Sequence, residues 1–97
     1  MSIQTIISSL KSFDPDKIIL FGSHASGTAN SSSDYDIAII KDTDELYHDR
    51  VIAAHRLLRT TSPVDLFVFT PKEMNMYKNS NPFIANILAT GKVIYKH

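Results

Sequence analysis

The chain has 97 residues, with ten basic and ten acidic side chains and no cysteine. That balance argues against long stretches of DNA or RNA as a direct partner, and the lack of cysteine excludes a disulfide framework, a thiolate zinc site and a cysteine nucleophile. No apolar run approaches the roughly 18–20 residues that span a bilayer, and the opening MSIQTIISSLKSF lacks the basic start and long apolar centre of a secretion signal, so a cytoplasmic protein built as one domain over residues 1–97 is expected.

From Ser2 to Phe13, apolar residues at Ile3, Ile6, Ile7 and Leu10 follow helical spacing, with Ser2 placed to cap the start. Asp14-Pro15-Asp16 breaks that helix. Lys17 to Phe21 (KIILF) reads as a short apolar strand ended by Gly22. His24 to Ser33 reads as a turn of helix and a loop rich in small polar residues, and Asp36 to Ile40 (DIAII) as a second strand. Asp44 to Arg59 is the longest helical segment, with Tyr47, Val51, Ala54 and Leu58 on one face and charges mostly opposite; Ser62-Pro63 stops it.

Val64 to Phe69 (VDLFVF) is the third predicted strand. Thr70-Pro71-Lys72-Glu73 opens a helix with a capping-box pattern. Asn81-Pro82 opens another through Ala89, Gly91 ends it, and Val93 to Tyr95 forms a short last strand. The class is therefore mixed α and β (α/β), a small mixed sheet with helices packed on it. A loop of about a dozen residues suits an antiparallel pairing of the first two strands, whereas the long helix between the second and third suits a crossover between parallel neighbours. The starts of strands two and three then lie side by side.

That topology gives the acidic residues their meaning. Side chains alternate across a strand, so Asp34 and Asp36 project to one face and Tyr35 to the other. Asp65, near the start of the third strand, falls beside them. Carboxylates crowded together without partners are costly, and hard oxygens gathered in this way suit Mg²⁺, which binds through one or two carboxylates plus substrate phosphates. The Gly22-Ser23 turn complements them. Glycine allows close backbone approach to a phosphate, a helix start presents N–H groups, and the Ser23 hydroxyl adds a donor. A triphosphate held between the turn and the metals brings its α-phosphorus near Asp65, a base for an incoming hydroxyl; the reaction class is nucleotidyl transfer with pyrophosphate leaving. A lone D-x-D or Gly-Ser is a common turn feature, and the weight lies in their order and spacing.

Gly22-Ser23, ten residues, then Asp34-Tyr35-Asp36 resembles the G-S-x10-D-x-D motif of minimal nucleotidyltransferases in the DNA polymerase-β superfamily. The flanking IILF, SHASGTA, VDLF and FIANILATGKVIY segments agree with it, so the likeness covers nearly the whole chain. The resemblance implies a polymerase-β-like fold, Asp34, Asp36 and Asp65 as metal-binding and catalytic carboxylates, Gly22 and Ser23 as triphosphate contacts, and ATP or another nucleoside triphosphate with Mg²⁺. It further implies the antitoxin role of minimal members, which adenylylate a tyrosine of a HEPN ribonuclease toxin. An acceptor pocket would then come from that partner or from a second copy of the chain. Two other readings stand beside it: a binding module that neutralises its partner by masking, and transfer to a small molecule.

Arg50 and His55 match the R-x4-H nuclease pattern, which on one helix of a chain alternating strands and helices is read as chance, and His48-Asp49 is read as a solvated helix face rather than a catalytic dyad. His24 is read as exposed and neutral, with a phosphate contact as the alternative, and Lys41, Arg56 and Arg59 as plain surface cations, with anion steering as the alternative.

Overall fold

A computed structural model describes residues 3–30, 33–59 and 63–97. Helix α1 (Ile3–Leu10) buries Ile6, Ile7 and Leu10, and a 3-10 turn over Lys11–Phe13 extends it. Asp14 ends the turn in the left-handed region, at φ 59°, and donates its N–H to the Lys11 carbonyl; aspartate is one of the few side chains that visit this conformation. The predicted cap at Ser2 lies outside the described residues.

Strand β1 (Lys17–Phe21) leads into a single helical turn, α2 (Ser23–Ser26), and the chain returns as β2 (Tyr35–Ile40). Helix α3 (Tyr47–Leu57) crosses to β3 (Val64–Phe69), α4 (Pro71–Tyr77) and α5 (Pro82–Thr90) follow, and β4 (Lys92–Lys96) completes the sheet. The strand order is β3-β2-β1-β4. β1 pairs antiparallel with both β2 and β4, and β2 pairs parallel with β3 across the α3 crossover, as the loop lengths predict.

Both faces of the sheet are covered, which is why β1 and β2 read as near-continuous apolar runs rather than alternating ones. Ile18, Leu20, Ile37, Ile39, Leu66 and Val68 pack with α1 and Ala54 of α3. The alternate residues Ile19, Phe21, Ala38 and Ile40 pack with Met74, Ile84 and Ile87 of α4 and α5. The predicted starts of α4 and α5 hold as well. Thr70 Oγ1 accepts the Glu73 N–H at 3.1 Å while Glu73 Oε1 accepts the Thr70 N–H at 2.8 Å, a reciprocal capping box. At α5, Asn81 Oδ1 accepts from the N–H groups of Phe83 and Ile84.

The long helix departs from its expected bounds of Asp44 to Arg59. Thr43 Oγ1 accepts the Glu45 N–H at 3.2 Å, a local turn that competes with helix, so α3 begins at Tyr47 behind an extended Leu46. At the other end Leu58 is extended and the Arg59 N–H goes to Ser9 Oγ on α1, so the helix closes before the predicted stop, of which Ser62 lies outside the described residues. Arg50 is also displaced from its predicted surface setting. It is buried, and donates to the Glu45 carbonyl at 2.8 Å, the Val68 carbonyl at 3.3 Å and Glu73 Oε1 at 2.7 Å. Lys41, read as a surface cation, sits over the Phe13 ring at 4.5 Å and donates to the Phe13 carbonyl.

Candidate active site

The parallel register sets Asp36 directly opposite Asp65. Residues paired across a ladder share a face, so both carboxylates project to the side that also carries Phe21, Ala38 and Phe67. Asp34 lies just ahead of β2 and is exposed, as is Asp65, while Asp36 is half-buried. Tyr35 points to the other face and packs against the α1–α3 core. The expectation that acidic groups from two separate strands meet at one sheet end is therefore met.

Their proximity has an electrostatic signature. Burial, then the charges of Asp65 and Asp34, then a hydrogen bond with the Asp65 carboxyl push the Asp36 pKa above the ordinary carboxylate range, against a smaller opposing influence from His24. Like charges brought this close disfavour the ionised form of Asp36. A divalent cation among the same oxygens would relieve that repulsion.

Among the described residues no three His, Cys, Asp or Glu side chains are drawn into a ready ligand set. The arrangement is a pair facing each other across the ladder, Asp36 and Asp65, with Asp34 exposed just ahead of β2. Mg²⁺ retains several waters and completes its shell with substrate phosphates. The donor chemistry of this edge therefore fits that ion: hard carboxylate oxygens, a pair whose charge is unfavourable alone, and an open solvent side.

Gly22 forms the other wall. Its backbone adopts φ 74° and ψ −153°, a region left almost wholly to glycine, and a Cβ built there would stand 2.2 Å from Asp36 Oδ2. The Gly-Ser turn thus lies directly against the carboxylate site, joining the two halves of the motif in space. Gly22 accepts the N–H groups of Ala25 and Ser26, and Ser23 opens α2. The Ser23 carbonyl accepts from Thr28 and Ala29, which folds the following loop back on the turn. Gly27 turns the chain at φ 81° with open space around it.

His24 is half-buried rather than exposed. Its ring stacks on Tyr35 with centroids 3.8 Å apart and planes 11° from parallel, and its Nε2–H donates to the Ser33 carbonyl at 3.1 Å. It braces α2 against the start of β2, and so holds the Gly-Ser turn and Asp36 in relation to each other. Tyr35 in turn donates its N–H to the Pro63 carbonyl, tying the start of β2 to that of β3.

Three rings, none singled out in the sequence, adjoin the carboxylates on the same face. Phe21 and Phe83 meet edge-to-face at 5.6 Å and 84°, Phe67 and Phe83 at 5.0 Å, and Phe21 and Phe67 at 5.7 Å. Phe21 is the ladder partner of Asp36, and Phe67 follows Asp65 by two residues. The alternation rule applied to IILF and VDLF would have found those two. Phe83 arrives only through the docking of α5.

The family model described as "Polymerase beta, Nucleotidyltransferase" matches residues 4–97. Solved structures share the fold. A toxin–antitoxin crystallised with AMP-PNP superposes with a TM-score of 0.69 at 25% identity, covering 100% of this chain and 75% of that one. A mutant of the toxin–antitoxin MntA-HpeT gives 0.66 at 23% identity, covering 100% of this chain and 75% of that one. A Sulfolobus solfataricus protein assigned as a nucleotidyltransferase gives 0.68 at 21% identity, covering 97% of this chain and 76% of that one. No curated protein matches the chain. No helix of the described residues is long and apolar enough to cross a membrane. With the family match running through both the Gly-Ser turn and the paired strands that bring Asp36 to Asp65, the chain belongs to the polymerase-β nucleotidyltransferase family.

Proposed function

We propose that this protein transfers AMP from ATP to a hydroxyl on a partner protein, a tyrosine of a HEPN-type ribonuclease toxin, and so acts as an antitoxin. The observation that carries the chemistry is the Asp36–Asp65 register with Gly22 against the Asp36 carboxylate. The observation that supports the biological role is the likeness, at 25% identity over the whole chain, to a toxin–antitoxin solved with AMP-PNP.

In this reading Asp34, Asp36 and Asp65 hold Mg²⁺, and Gly22 and Ser23 receive the triphosphate. When bound, Mg²⁺ would supply positive charge that neutralises the phosphates and the leaving pyrophosphate. The chain's own groups do the rest. Gly22, having no side chain, lets the triphosphate approach the backbone beside Asp36, and the N–H groups opening α2 face it. The Ser23 hydroxyl donates to a phosphate oxygen. Asp65, exposed at the rim, takes the proton of the incoming hydroxyl as that oxygen bonds to the α-phosphorus. The bond from the α-phosphorus to its bridging oxygen breaks, and pyrophosphate leaves.

The test is mass spectrometry of the candidate toxin after incubation with this protein, ATP and Mg²⁺. A gain of one or more AMP units, lost in Asp36→Ala, is the expected result. Neutralisation of the toxin with no mass gain would overturn transfer and favour masking; a labelled small molecule with an unlabelled toxin would move the acceptor.

A further inference from the structure

Phe83 is 41% exposed although it stands in the first turn of α5 against two other rings. Its cluster closes the face of the sheet just inside the carboxylate edge. Phe21, 5% exposed, and Phe67 press on it from below at 5.6 and 5.0 Å centroid separation. Edge-to-face and tilted packing is the favoured geometry of aromatic pairs and restrains the ring. The helix that carries it is fastened by Asn81 Oδ1, which accepts the N–H of Phe83 itself at 2.9 Å. The result is a held aromatic surface, partly open to solvent, packed on the two rings that share a sheet face with Asp36 and Asp65.

Resting on the nucleotidyltransferase reading above, we propose that the exposed face of Phe83 is the stacking platform for the nucleobase of the bound nucleoside triphosphate. The occupant follows from position. Phe21 faces Asp36 across the ladder, and Phe67 lies two residues along β3 from Asp65, roughly 7 Å at the strand rise. A nucleotide whose phosphates lie against Gly22 and the carboxylates extends its sugar and base over this same face. Every base presents a π-face, so stacking on a phenyl ring anchors a nucleotide without selecting its identity. ATP and GTP are therefore held about equally by this contact.

The experiment compares Mg·ATP with Mg·tripolyphosphate, which has the phosphates but no base, by calorimetric titration of the full chain. Phe83→Ala is expected to weaken ATP binding roughly tenfold to a hundredfold, the range of base stacking on an aromatic side chain, and to leave tripolyphosphate unchanged. Phe83→Leu keeps an apolar filler in the cluster without the ring, and should show the same split. The chain has no tryptophan, so Phe83→Trp supplies a single reporter whose fluorescence is quenched by ATP and not by tripolyphosphate, with ATP affinity retained. ATP affinity unchanged in both Phe83→Ala and Phe83→Leu overturns the platform, as does a parallel loss for both ligands. Unchanged ATP affinity with reduced labelling of the partner assigns the ring to the acceptor instead, and overturns the nucleobase assignment. Failure of the wild-type chain to bind either ligand overturns the nucleotidyltransferase reading itself, a result distinct from failure of Phe83 alone.

Discussion

Replacing Gly22 with alanine tests the junction of the two motif halves. The added Cβ would lie 2.2 Å from Asp36 Oδ2, 3.1 Å from its Cγ and 3.3 Å from its Cβ, on a backbone at φ 74°. The carboxylate can rotate aside about χ1, but Asp36 Cβ, at 3.3 Å, is fixed by the central strand, so relief there needs a small shift of the chain itself. A non-glycine residue in such a region costs about 1–3 kcal/mol, and crowding of this kind adds about 1–3 kcal/mol. Gly27→Ala is the control, because at φ 81° it meets nothing within 4 Å and suffers only the backbone cost, about 1–2 kcal/mol. Urea denaturation of Gly22→Ala, Gly27→Ala, Asp36→Ala and the double variant Gly22→Ala/Asp36→Ala measures both parts. Truncating Asp36 should restore the crowding component, a coupling of about 1–3 kcal/mol, and nucleotide transfer should be lost in Gly22→Ala and retained in Gly27→Ala. Additivity within about 0.5 kcal/mol, or equal losses at the two glycines, would show that Gly22 and Asp36 do not meet as described.

Asp36→Asn should stabilise the metal-free protein at neutral pH. The folded-state pKa of Asp36 is raised by burial and by Asp65 and Asp34, so its charge disfavours the fold above that pKa, and the advantage of Asn fades as pH falls through it towards 3.8; Tm against pH for both proteins checks this. Mg·ATP should raise the Tm of the wild type and not of Asp36→Asn. Ser23→Ala should weaken Mg·ATP binding by about 0.5–1.5 kcal/mol, or somewhat more because the acceptor is charged, and unchanged calorimetric affinity would remove Ser23 from the site. Burial alone would raise the Glu73 carboxyl, but hydrogen bonds from Arg50 and Thr70 and the Arg50 charge outweigh it and hold it below 4.5. Its stabilising contribution is therefore present above the unfolded value and lost as pH falls through the folded one. Arg50→Met should cost about 2–4 kcal/mol, towards the lower end for a buried pair because the Glu73 side chain is 33% exposed, and should flatten the acid limb of a Tm–pH profile; an unchanged limb would mean the pair contributes nothing.

Much of this was already present in the amino-acid order. The three strand cores, the capping box at Thr70–Glu73 and the asparagine cap of α5 depend on residues no more than a few positions apart, and periodicity and turn chemistry report such local interactions directly. The pairing of Asp36 with Asp65 was also legible, because a short loop and a helical crossover leave few ways to arrange three strands. What required the tertiary structure is every feature whose partners are distant in the chain. Arg50 reads as a surface charge on α3 until Glu73 and the Val68 carbonyl, 23 and 18 residues away, make its burial tolerable. His24 reads as exposed until Tyr35, across the loop, supplies its stack. Phe21, Phe67 and Phe83 are separate core-like residues until α5 lies across the sheet and leaves one ring open beside the carboxylates. Local sequence determines which backbone conformation each segment prefers, whereas burial of a charge or exposure of an aromatic face depends on which segments pack together, a choice made by the whole core at once.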